Sequence, residues 1–183
     1  PPDAAPPANG VAPPAPGRRT PDAIVGEHDE FRNFNFLKVD VEGHDFDVLK
    51  GARQGIARNT PAIFFEVAPF GNGRYAEDFL ETIRSLRDSG YKNILMYDNI
   101  GYMFGRYALD DEAGLAAALY YQVTSRFYYF DALVMREDDF EPFFASELRL
   151  FIDQTSDPGE RRAAEVLAGL VGPPSGSELL TSS

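Results

Sequence analysis

Apolar and polar positions fall into short blocks along this chain. Phe36-Leu37-Lys38-Val39-Asp40-Val41 is an apolar, partly β-branched run, and it predicts a buried strand from Phe36 to Val41. Gly43 breaks that pattern. Phe46, Val48, Leu49, Ala52 and Ile56 then recur at helical spacing and predict a helix with one apolar stripe. The charges agree with that direction. Glu42, Asp45 and Asp47 stand at its start, and Lys50, Arg53 and Arg58 towards its end, as the helix dipole prefers. Asn59-Thr60-Pro61 ends it, because a residue before proline leaves the α region. Ala62 to Val67 reads as a second buried strand, parallel to the first because a helix connects them.

The pattern continues as strand and helix. Pro69 to Arg74 is a loop with two glycines. Tyr75 to Ser89 is an amphipathic helix with Phe79, Leu80, Ile83 and Leu86 on its apolar face and Gly90 as its cap. Tyr91 to Asp98 reads as a third strand. Asn99-Ile100-Gly101 is a turn, and Tyr102-Met103-Phe104 a short hairpin arm. Asp110 to about Gln122 is an acidic-capped helix or helical loop, and Phe127 to Met135 a fourth strand dense in aromatics. Phe140, Phe143, Phe144, Leu148 and Phe151 predict a helix over Asp139 to about Asp153. Asp157-Pro158-Gly159-Glu160 opens another that ends at Gly172. Asp22 to Asn35 is polar with a short apolar entry and reads as a short helix or a strand end. The ends differ: residues 1–19 form a Pro/Ala-rich arm, and residues 173–183 a polar tail, both expected to be disordered.

Composition narrows the function classes. The 183 residues carry a formal net charge of -12, with no Lys/Arg cluster, which argues against nucleic acid or anionic membrane as partner. With no cysteine there is neither a disulfide framework nor a thiolate metal site, which fits a cytoplasmic location. No apolar run reaches the roughly 20 residues needed to span a bilayer. The chain starts at Pro1 rather than methionine, as a processed chain or fragment would.

In open α/β sheets, ligands bind at the carboxyl ends of the strands. Asp40 and Glu42 are acidic groups placed there, and Glu66 ends the second strand. A carboxylate at a strand end can hydrogen-bond an acceptor hydroxyl and act as a weak base. It can equally cap the following helix through its free amides. His44 would complete an i, i+2, i+4 set of metal ligands only on an unbroken strand, and Gly43 interrupts it. An exposed histidine at a helix start is the reading preferred, with a place near the substrate kept open. The aromatic set Tyr120, Tyr121, Phe127, Tyr128, Tyr129 and Phe130 could stack on a sugar ring. Packing in the core is favoured.

These residues also carry a resemblance. Leu37-Lys-Val-Asp-Val-Glu-Gly43, then Val48-Leu-Lys-Gly-Ala52, then Pro61-Ala-Ile-Phe-Phe-Glu66 resembles the FkbM-type family of S-adenosylmethionine-dependent methyltransferases. Thr20-Pro21-Asp22-Ala23-Ile24 is similar to the segment preceding this strand in the family, with Pro21 as a departure. The resemblance runs from about Thr20 to Arg136 and covers the family's C-terminal half. It implies the α/β fold of a class I, Rossmann-like methyltransferase, here its strands 4-5-7-6 followed by C-terminal helices. The domain then spans residues 20–138 and the C-terminal helices 139–172.

The resemblance further implies that Asp40 and Glu42 act at the methyl-transfer site. Glu66 is open to lining the acceptor pocket or holding a neighbouring backbone amide, and His44 is kept as a substrate-side residue although the family usually has a small residue there. S-adenosylmethionine is the implied cofactor and a small-molecule or glycan hydroxyl the implied acceptor. The family's cofactor loop and ribose-binding acid would lie upstream of Thr20, so cofactor binding by this chain alone is expected to be weak or absent. A non-catalytic remnant or accessory module is the alternative. The first strand's partner would also be missing, leaving Phe36 to Val41 as a sheet edge. The N-terminal arm, the C-terminal helices or a second chain are expected to cover that edge.

Overall fold

The computed structural model describes residues 19–126 and 128–172. The expected N-terminal arm up to residue 18, the expected tail from residue 173, and Phe127 lie outside the described residues. The fold is α/β. Five strands form one sheet in the order β1-β2-β5-β3-β4. These are β1 (Phe36–Val39), β2 (Ala62–Val67), β3 (Asn93–Asp98), β4 (Met103–Ala108) and β5 (Phe130–Val134). β1 and β2 are parallel, with Phe36 beside Ala62 and Val39 beside Phe65. β5 inserts between β2 and β3 and runs antiparallel to both.

Side-chain alternation divides the core by sheet face. On one face, Val39, Ile63, Phe65, Val67, Ala132, Val134, Ile94 and Met96 are buried. They pack beneath α2 (Asp45–Gly51), α3 (Arg53–Asn59), α4 (Tyr75–Asp88) and α5 (Glu112–Ser125). On the other face, Leu95, Tyr97, Leu133 and Met135 meet Phe140 and Phe144 of α6 (Glu137–Gln154). Burying each of those phenylalanines stabilises this contact by about 2 kcal/mol. Arg106 of β4 pairs with Glu141, and its guanidinium lies 5.1 Å from the centroids of both the Phe140 and the Phe144 ring. That fixes α6 over the β3–β5 side. α7 (Pro158–Val171) packs on α6, and Asp157 caps it by accepting from the Glu160 amide at 2.9 Å.

Several expectations are corrected. β1 stops at Val39 rather than Val41, and its first residue, Phe36, is 56% exposed, because β1 lies at the sheet edge. The helix after Gly43 is two helices. Ala52 adopts φ -103° and ψ 6°, which breaks the ladder while keeping Leu49, Ala52 and Ile56 on the buried side. The hairpin arm is a full edge strand, β4, paired with β3 from Asn93↔Ala108 to Tyr97↔Met103. Asp22 to Asn35 contains α1 (Pro21–Glu27) and a single 3-10 turn, Asp29–Phe31. Thr20 caps α1, and Asp22 accepts from the Gln54 and Gly55 amides at 2.8 Å, tying it to α3. The aromatic set is not a core: Phe130 is buried, but Tyr120, Tyr121 and Tyr128 are exposed. The helical turn of α5 directs Leu115, Ala118, Leu119 and Gln122 inward instead. α6 covers a sheet face and not the β1 edge. Among the described residues, β1 pairs with β2 alone.

Candidate functional site

The site is built on the turn that follows β1. Asp40 is the first residue past the strand. Glu42 and Gly43 both take positive φ, 47° and 85°, and the His44 amide donates back to the Val41 carbonyl at 3.3 Å. A left-handed glutamate is strained by roughly 1–2 kcal/mol. Gly43 is required twice over, by its φ and because a Cβ there would come within 3.0 Å of the Phe70 carbonyl oxygen. The loop after β2 thus sits directly against this turn.

Asp45 holds the assembly together, a role that its helix-start position in the sequence only partly signals. It is 2% exposed. One carboxylate oxygen accepts from the Val41 amide at 3.4 Å and the other from the Glu66 amide at 3.2 Å. So Asp45 staples the end of β1 to the end of β2, whereas Asp40 does not cap α2, whose N-cap residue is His44 with no side-chain cap hydrogen bond. Asp40 instead pairs with Lys38, Nζ to Oδ2 at 3.0 Å, across an exposed surface. His44 is exposed, with Nδ1 3.6 Å from an Asp47 carboxylate oxygen. Among the described residues no three His, Cys, Asp or Glu side chains form a cluster that could hold a metal.

Glu66 acquires a partner that the sequence reading missed. In the β2–β5 register it stands directly opposite Asp131. The available signal was a single acid inside the apolar run Phe130-Asp131-Ala132-Leu133-Val134. With Lys38, Asp40, Phe64 and Tyr129, the two acids line a cavity of about 230 Å³. Burial raises the Glu66 carboxyl above the usual carboxylate range, and the charges of Asp45, Asp40, Asp131 and Glu42 push it further. Burial likewise raises Asp131; Asp40 adds to this and Lys38 works against it. Asp45 is raised by burial, against the lowering effect of the amides that it accepts from. Asp40, Glu66 and Asp131 therefore line one cavity at one end of the sheet, whereas Glu42 and His44 are exposed on the turn and at the helix start and do not line it. Glu66 and Asp131, both partly buried, hold a proton more readily than an isolated carboxylate would.

A comparison with protein families matches residues 15–92 to the family described as the methyltransferase FkbM domain. The match covers the stretch from before α1 through β1, α2, α3, β2 and α4, and stops ahead of β3. The likeness read from the motifs is thereby shown over residues 15–92, though not for its expected extension to Arg136, and it supports methyltransferase activity. No curated protein and no solved structure gives a match to the chain. Among the described residues no helix is long and apolar enough to cross a membrane.

Proposed function

We propose, taking residues 15–92 as an FkbM-type methyltransferase segment, that the chain forms the acceptor-side half of an S-adenosylmethionine-dependent methyltransferase. The acceptor group is a hydroxyl of a sugar or other secondary metabolite. The observation that supports this reading is that Asp40 and Glu66, at the ends of adjacent parallel strands within the matched segment, line one cavity, with Glu42 two residues on in the same turn. The strand order β1-β2-β5-β3, with β5 antiparallel, supports a correspondence with strands 4-5-7-6 of a class I sheet.

The donor set suits a cationic methyl donor, since opposite charges nearby favour the ionised carboxylates. The rest of that cofactor has no evident cradle among the described residues. The glycine loop after β2 is committed to opening α4: Asn72 accepts from the Arg74 amide at 2.8 Å and donates to Asp78 at 3.0 Å. When bound, S-adenosylmethionine supplies an electrophilic methyl group on a sulfonium. This chain's own residues would orient the acceptor and take its proton. Asp40 and Glu42 hold the hydroxyl in line, a matter of positioning. The proton passes to a carboxylate oxygen, for which Glu66 is suited by its raised proton affinity.

Two measurements test this. Calorimetry should show no micromolar binding of S-adenosylmethionine by this chain alone; such binding would refute the half-site assignment. In a form that includes the cofactor-binding half, Asp40→Asn should lower kcat at least ~10-fold, the effect of a misplaced acceptor hydroxyl. Cofactor affinity should change less than ~2-fold. Equal losses of both would return Asp40 to a structural role, and no transfer to any hydroxyl acceptor would leave the accessory-module alternative.

A further inference from the structure

The sheet face that carries α6 is covered over β3 and β5 but open over β1 and β2. Between α6 and this open half runs a groove of about 850 Å³, larger than the acidic cavity and joined to it, because Phe64 and Asp131 line both. Its floor and walls are largely aromatic and apolar: Phe36, Ala62, Phe64, Leu133 and Met135 from the strands, and Phe143 from α6. Tyr97 also lines it, with its hydroxyl 3.1 Å from a Glu147 carboxylate oxygen.

The charges facing the groove are mainly acidic. Asp131 comes from β5 and Glu147 from α6. Arg136, the cation that lines it, is held by Asp139 at 2.8 Å, and Lys38 beyond Phe64 is held by Asp40 at 3.0 Å. Both cations are thus paired with neighbours, and although Lys38 also attracts Asp131 and the Tyr97 hydroxyl donates to Glu147, the balance of charge offered to an occupant by Asp131 and Glu147 is negative. An aromatic floor with carboxylates at its rim is the chemistry that recognises an organic cation, through ring faces and ion pairing together. It disfavours a carboxylate or phosphate ligand, which would meet like charges.

We propose that this groove binds an organic cation, an ammonium group carried on an apolar or aromatic body. We also propose that the acceptor of the methyl transfer belongs to that class; this second step rests on the reading given under the proposed function. The ammonium lies between Asp131 and Glu147, the body lies against Phe64 and Phe143, and the reacting hydroxyl reaches the acidic cavity past Phe64.

The test uses three probes of one length: 2-phenylethylammonium, 2-phenylethanol and 3-phenylpropionate. Each is titrated into the isotopically labelled protein at pH 7 and low salt, followed by amide chemical shifts. The ammonium should bind about 10-fold more tightly than the alcohol, shift amides of Ala62–Glu66 and Leu133–Met135, and weaken as salt is added. The carboxylate should bind least. Glu147→Gln and Asp131→Asn should each weaken the ammonium several-fold and leave the alcohol unchanged; the thermal transition of each variant checks that it is folded. Equal binding of ammonium and alcohol, shifts confined to another surface, or no ammonium binding at millimolar concentration would overturn the proposal. The titration needs no methyl donor, so it separates the two ideas. Ammonium binding by this chain, with no methyl transfer by the form that includes the cofactor-binding half, upholds the groove and sinks the transfer reading. Transfer to neutral acceptors only does the reverse.

Discussion

Replacing Asp131 by asparagine should make the protein more stable at neutral pH. Asp131 and Glu66 are directly opposed across β2 and β5. Like charges so placed destabilise an antiparallel pair by roughly 0.2–1 kcal/mol. Burial adds to that cost, and burial is the largest cause of the upward displacement of Asp131. The sign follows from linkage. A carboxyl raised in the folded state holds its proton after the unfolded chain has released it, so stability falls as pH rises through that interval. Below about pH 4 both states are protonated and the penalty vanishes. Asp131→Asn should therefore gain about 1 kcal/mol at pH 7, close to nothing at pH 3.5, and raise Tm by roughly 2–4 °C at neutral pH. Urea denaturation followed by circular dichroism at the two pH values measures it. Lys38 sets the competing outcome, since it favours the charged form of Asp131. If the Lys38–Asp131 attraction were the larger effect, the variant would lose stability at pH 7. That result, or a gain equal at both pH values, would refute the reasoning.

Two further outcomes follow from the site. Asp45→Ala should cost about 2 kcal/mol in urea denaturation, because two amides lose a charged acceptor, whereas Asp45→Asn should recover less than half of that, since its one oxygen serves one amide and its NH2 faces the other amide's N–H; an unchanged midpoint for Asp45→Ala would mean that the staple carries no weight. In a strictly monomeric sample, the amides of β1 that point away from β2 should exchange rapidly, since β1 pairs with β2 alone among the described residues; slow exchange there would show that another strand covers this edge.

The sequence by itself determined most of the element order and the strand, glycine turn and helix that follow one another from Phe36. Helical and strand spacings placed the strand at Phe36, the strand at Ala62–Val67, the helix from Tyr75 and the cap at Asp157, because each depends on local periodicity or a local hydrogen bond. Asp40, Glu42 and Gly43 were legible because a strand, a glycine and acids stood next to one another in the chain. Tertiary structure decided what lies opposite what. Asp131 is 65 residues from Glu66, and only the antiparallel insertion of β5 brings them together. Asp45 looked like a helix-start charge; its burial and its grip on the Glu66 amide exist only once β2 lies beside β1. The same holds for the exposed tyrosines. Their apolar bodies suggested a core, but the turn of α5 and the space already filled by Leu115 and Leu119 placed Tyr120 and Tyr121 outside. Local periodicity is written in neighbouring residues, whereas burial and charge coupling depend on contacts between strands far apart in the chain.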